Sequence, residues 1–69
     1  MTNTELLNEL IERSGYKRSY IANQLGLSPY GLSKKIHNVT EFKASEINAL
    51  CTILNIEDAG EKERIFFAV

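Results

Sequence analysis

Three residues, Gly26-Leu27-Ser28, separate two short apolar stripes, and this break constrains the fold more than any other stretch of the chain. Before it, Ile21, Ala22 and Leu25 recur at helical spacing; after it, Leu32 and Ile36 do the same. Gly26 suits the left-handed conformation just past a helix end. Ser28 is a strong N-cap, and Pro29 fits the first helical position, where a missing N–H costs nothing. A helix stop and a helix start therefore fall within one tight turn. Ala22, being small, lets the two helices approach closely where they cross.

The rest of the chain reads as further helices. Thr2-Asn3-Thr4-Glu5 has the form of a capping box, with a Thr hydroxyl taking the N3 amide and Glu5 reaching back. Leu6, Leu7, Leu10 and Ile11 follow as one stripe, and Ser14-Gly15 ends that helix. Ala44 to Asn55 carries the clearest amphipathic pattern, with Ile47, Leu50, Cys51 and Leu54 at i, i+3, i+4, i+7. The connector NVTEFK, residues 38–43, places Val39 and Phe42 as apolar anchors. A short helical turn around 57–62 is weakened by Gly60. The apolar tail Ile65, Phe66, Phe67 and Val69 reads either as a helix end or as a short extended segment. The expected fold is all-α, one domain over residues 1–69, a compact bundle of four to five short helices.

Size and composition limit the possible functions. With 69 residues and one cysteine, Cys51, the chain has no internal disulfide and relies on helix packing or on a partner chain. No segment approaches the roughly 18 apolar residues needed to span a bilayer. The start, MTNTELLNEL, has two acids and no base and does not read as a signal peptide. Cys51 sits on an inner stripe as a small hydrophobe. No catalytic triad, paired-carboxylate cleft, phosphate loop or zinc pattern occurs, so neither an enzyme nor a cofactor is expected. His37 has no second ligand at metal spacing.

Charge is unevenly spread. The net charge is -1, yet residues 13–43 carry Arg13, Lys17, Arg18, Lys34, Lys35 and Lys43 against Glu41 alone. The remaining residues hold Lys62 and Arg64 against eight acids. Such asymmetry speaks to binding surfaces rather than to fold.

The two helices about Gly26-Leu27-Ser28 have the spacing of a helix-turn-helix. The stretch RSYIANQLGLSPYGLSK, Arg18 to Lys34, resembles the phage repressor and Cro type of DNA-binding protein, the lambda repressor-like or XRE family. That family's pattern is roughly Q-x-x-L-A-x-x-L-G-V-S-x-x-x-I-S-x. The resemblance runs from about Tyr16 to Ile56, and LSKKIHNVTEFKASEI is similar to small regulators of Gram-positive phages. The chain departs from the pattern at Arg18, where Gln is usual. It departs also at Lys17 and Lys43, where Thr or Ser often caps, and at Lys35, often apolar.

The resemblance implies a recognition helix over about residues 29–37 in the major groove of double-stranded DNA. Pro29, Tyr30, Ser33 and Lys34 are then the base-contacting candidates, with Lys34 donating to guanine and Pro29 and Tyr30 touching thymine methyls. Pro29 and Ser33 read equally well as a plain helix start and a solvated surface residue. The backbone-contacting candidates are Lys17, Arg18, Ser28, Lys35, His37, Asn38, Thr40 and Lys43. Lys35 either joins the outer face or borders the core. The implied function is a sequence-specific transcriptional regulator acting in a bacterial cytoplasm, host- or phage-encoded. It would work as a homodimer at least on DNA, with two recognition helices about 34 Å apart and no membrane or small-molecule ligand. The apolar tail would pack on the core or on the partner copy. The alternative is a protein-binding module, an antitoxin or antirepressor, that keeps the helix-turn-helix shape.

Overall fold

Helix ends decide the architecture, and most are set by one side chain or one left-handed residue. A computed structural model describes residues 1–69 and contains five helices and no strand: α1 (Thr4–Ser14), α2 (Arg18–Gln24), α3 (Pro29–Ile36), α4 (Ala44–Leu54) and α5 (Ala59–Phe66). The helix stop and start about Gly26-Leu27-Ser28 fall where expected. Gly26 has φ +72°, the Leu27 amide donates to the Ala22 carbonyl at 2.8 Å, and the Gly26 amide donates to Asn23. This six-to-one and five-to-two pair is a Schellman motif. Ser28 then accepts the Gly31 amide at 3.0 Å and opens α3 with Pro29 at its first position.

The same motif recurs with asparagine in the glycine role. Asn38 (φ +65°) ends α3 and Asn55 (φ +61°) ends α4, with Val39 bonding back to Lys34 and Ile56 back to Cys51. Asparagine tolerates the left-handed region because its short polar side chain finds local partners.

Two expectations are corrected, and the open choice for the C-terminal tail is decided in favour of a helix end. The α1 cap is Asn3, whose side chain accepts the Leu6 amide, and no threonine caps this helix. Thr2 is buried, and the Thr4 hydroxyl donates instead to the Ile36 carbonyl at 2.6 Å. Val39 is no anchor: it is 68% exposed, and only Phe42 of that connector packs inward, edge-on to Phe66. The C-terminal turn is longer than the 57–62 segment and the tail is helical through Phe66, because Asp58 caps it by accepting the Glu61 amide and offsets Gly60.

The core draws on all five helices: Leu7 and Ile11, Ile21 and Ala22, Leu32 and Ile36, Ile47, Leu50 and Cys51, Ile65 and Phe66, with Ile56 from the link to α5. The apolar tail divides. Ile65 and Phe66 are buried, whereas Phe67 and Val69 are exposed. The ends of the chain meet, since the Ala68 amide donates to the Met1 carbonyl and the Asn3 amide to Ile65. No helix is long and apolar enough to cross a membrane.

Candidate nucleic-acid interface

With Leu32 and Ile36 turned to the core, α3 presents two neighbouring rows to the outside. Pro29, Ser33 and His37 form one row at four-residue spacing, and Tyr30 and Lys34 form the next. Tyr30 is 75% exposed and Ser33 and His37 are exposed. The Lys34 ammonium lies 5.4 Å from the centroid of the Tyr30 ring, a cation–π pair that holds both at the surface. The His37 ring bonds from Nδ1 to the Ser33 carbonyl at 2.9 Å, which ties the ring to its own helix. All four base-contacting candidates lie on or beside this face.

The start of α2 adjoins it. An open cleft of about 270 Å³ is lined by Arg18, Pro29, Ser33, His37, Leu32, Ile36 and Asn8. The Arg18 guanidinium donates to the Asn8 side chain at 3.1 Å and lies 3.5 Å from Glu12, both on α1. Its side chain is still 43% exposed. Arg18 thereby leans on α1 at the edge of the cleft it shares with α3.

Side-chain pairing divides the basic residues. Arg13 pairs with Glu9, Arg18 with Glu12 and Lys35 with Glu46. In each case a base of segment 13–43 is partnered by an acid from outside it. Lys17, Lys34 and Lys43 have no carboxylate partner. From Arg13 to Thr40 there is no acidic residue. The charge asymmetry of the sequence therefore survives folding in reduced form, with three free lysines and two partly screened arginines, Arg13 and Arg18.

Two of the backbone-contacting candidates are used up by the fold. The Lys35 ammonium donates to the Glu46 carboxylate at 3.0 Å and to the Glu41 carbonyl at 2.8 Å. The paired side chains are only 12% and 9% exposed. Lys35 thus borders the core, with two of its three ammonium donors committed to Glu46 and Glu41. Glu46 also accepts the Lys43 amide at 2.8 Å, closing the start of α4. Burial pushes the Glu46 carboxyl up, but the Lys43 amide and the Lys35 ammonium outweigh it, and the group is held below its ordinary value of 4.5.

Asn38 is likewise committed. Its Oδ1 accepts the Thr2 amide at 2.8 Å and its Nδ2 donates to the Thr2 carbonyl at 2.9 Å. It ties the end of α3 to the N-terminal segment. Among the other candidates, Ser28 is exposed; its oxygen accepts the Gly31 amide as the α3 cap, and its hydroxyl proton is still available to donate. Lys17, Thr40 and Lys43 are exposed.

One surface feature escaped the sequence reading. Tyr16 and Tyr20 stack with centroids 5.1 Å apart and planes 27° from parallel, both about half exposed, at the start of α2. Tyr16 lies just ahead of α2 and Tyr20 in its first turn, so helical spacing alone does not announce the pair. No cluster of metal-ligating side chains forms, and burial raises the Cys51 thiol above its ordinary value of 9.0, which keeps it protonated and inert. Comparisons with protein-family models, with curated proteins and with solved structures find no match for this chain.

Proposed function

We propose that this protein is a sequence-specific double-stranded DNA-binding regulator of the phage repressor and Cro type, acting in a bacterial cytoplasm. The observation that carries the reading is the outer face of α3: the exposed row Pro29-Ser33-His37 and beside it Tyr30 with the half-buried Lys34, free of acids and bordered by Arg18. A face of this kind matches the major groove, where a helix N-terminal half meets base edges. Lys34 donates to guanine O6 or N7, Ser33 pairs with either donors or acceptors, and Pro29 and the Tyr30 ring contact thymine methyls. Lys17, Arg18, Thr40 and Lys43 hold phosphates and set the register. His37, at the end of the same row, joins them.

One copy offers few base contacts, so the reading requires a homodimer on DNA. The exposed Phe67 and Val69 support a partner surface at the C-terminal end.

Selection from a random duplex pool tests the proposal. The expected result is enrichment of a two-fold symmetric site whose half-sites are one helical turn apart. Affinity should fall by roughly 10³ or more between about 50 and 200 mM salt if the dimer neutralises six or more phosphates. Lys34→Ala should cost roughly 1–3 kcal/mol and relax one base pair per half-site, whereas Arg18→Ala should weaken all duplexes alike. If no duplex is enriched over bulk DNA, the regulator reading fails and the protein-binding alternative takes its place.

A further inference from the structure

We propose that Lys35 and Glu46 act as a positioning clip that sets the angle of α3 against the body of the protein, and thereby how sharply the domain discriminates among DNA sequences. This rests on the DNA-binding reading above.

The need for such a clip follows from the size of α3. The helix has eight residues and is about 12 Å long. Its buried contacts to the core come from two residues, Leu32 and Ile36, which lie almost in one line along the axis. Apolar contacts are non-directional. A short rod held along a single line can rock about that line, which would swing Ser33 and Lys34 across the groove.

The polar contacts restrain that rocking. At the far end, the Thr4 hydroxyl holds the Ile36 carbonyl and Asn38 holds Thr2. These fix where α3 ends. Lys35 projects about 100° round the helix from Ile36 and so acts off the line of the apolar contacts. Its ammonium reaches both the Glu46 carboxylate on α4 and the Glu41 carbonyl in the connector. Glu46 is itself held by the Lys43 amide, so the anchor is part of the start of α4. A buried ion pair tolerates misplacement poorly, because any alternative angle leaves a desolvated charge without its partner. Setting a register is the best-attested use of such a pair.

Two properties separate a positioning residue from a phosphate contact and from a merely structural one. A positioning residue alters the ratio of specific to non-specific affinity while leaving the salt slope unchanged. A lost phosphate contact lowers that slope by about 0.9 per copy. A purely structural pair moves neither once the protein is folded.

The test compares wild type with Glu46→Gln, Lys35→Met and Lys35→Arg, on the selected duplex and on bulk DNA, at a temperature where circular dichroism shows each variant folded. Glu46→Gln keeps the acceptor for the Lys43 amide and removes only the charge. Glu46→Gln and Lys35→Met should each reduce discrimination roughly tenfold, with non-specific affinity and salt slope as in wild type. Lys35→Arg, which keeps charge and reach, should restore most of it. If Lys35→Met does not fold, Glu46→Gln and Lys35→Arg decide the matter alone. Unchanged discrimination in Glu46→Gln overturns the proposal, and so does a reduced salt slope in Lys35→Met. If wild type itself selects no duplex, the regulator reading fails and the clip's role in discrimination falls with it. If wild type selects and the variants match it, only the clip is refuted.

Discussion

Lys34 and Lys35 are neighbours in the chain and belong to different regions of the molecule. Lys34 rests over the Tyr30 ring on the outer face of α3, with no carboxylate partner. Lys35 lies in the seam between α3 and α4, bound to Glu46 and to the Glu41 carbonyl. A step of about 100° round a helix separates them. The difference teaches that a count of charges in a segment overstates its cationic surface: Arg13, Arg18 and Lys35 each meet an acid from elsewhere. What stays unpaired is smaller: Lys34 on the recognition rows, and Lys17 and Lys43 at the starts of α2 and α4.

Substitutions test the contrast between the outer face and the seam. The largest expected effect lies beneath both. Leu32 is 1% exposed, and Leu32→Ala should lower stability by about 2–5 kcal/mol in a urea titration. Next come the two lysines, which should behave oppositely. Lys35→Ala leaves the Glu46 carboxylate buried without its ammonium and should cost about 3 kcal/mol of stability. Lys34→Ala should stay within about 0.5 kcal/mol, its effect falling on DNA affinity instead. Similar unfolding midpoints for the two variants would show that Lys34 and Lys35 do not differ in this way.

Asn38→Gly keeps the left-handed backbone and removes both bonds to Thr2. It should cost about 1–2 kcal/mol, and the amide of Thr2 should exchange faster with solvent. The smallest expected effect is one of pH. Glu46 has its folded value below its unfolded one, so the unfolded state binds the proton first as pH falls. The stability it contributes is full above 4.5 and is lost as pH drops through the lowered folded value. Glu46→Gln should flatten the acid limb of a thermal-midpoint profile taken from pH 7 to about 3. An acid limb identical to wild type would assign acid loss to other carboxylates.

Much of the fold was legible because it depends on local signals. Gly26, Ser28 and Pro29 mark a helix boundary by backbone preference alone, and Leu32 and Ile36 mark a buried side by spacing. The C-terminal helix was less legible. Gly60 argued against it, and the cap at Asp58 and the burial of Ile65 and Phe66 against α1 and Phe42 outweighed that penalty. Val39 was misread because an apolar residue just after a left-handed asparagine can face either way, and only the path of the connector settles it. Of the candidate site, the outer rows of α3 follow from helical periodicity. The removal of Lys35 and Asn38 from it does not, since their partners, Glu46 and Thr2, are distant in sequence.

By itself, then, the sequence determined where the helices run and which stripe of each is apolar, because capping, left-handed residues and periodicity act over four or five residues. The tertiary structure alone decided which polar side chains remain free. Whether a lysine meets water or a carboxylate depends on what the folded chain brings within about 3 Å of it. For Lys35 that partner comes from the next helix; for Lys34 there is only the ring of Tyr30 and the open face beyond.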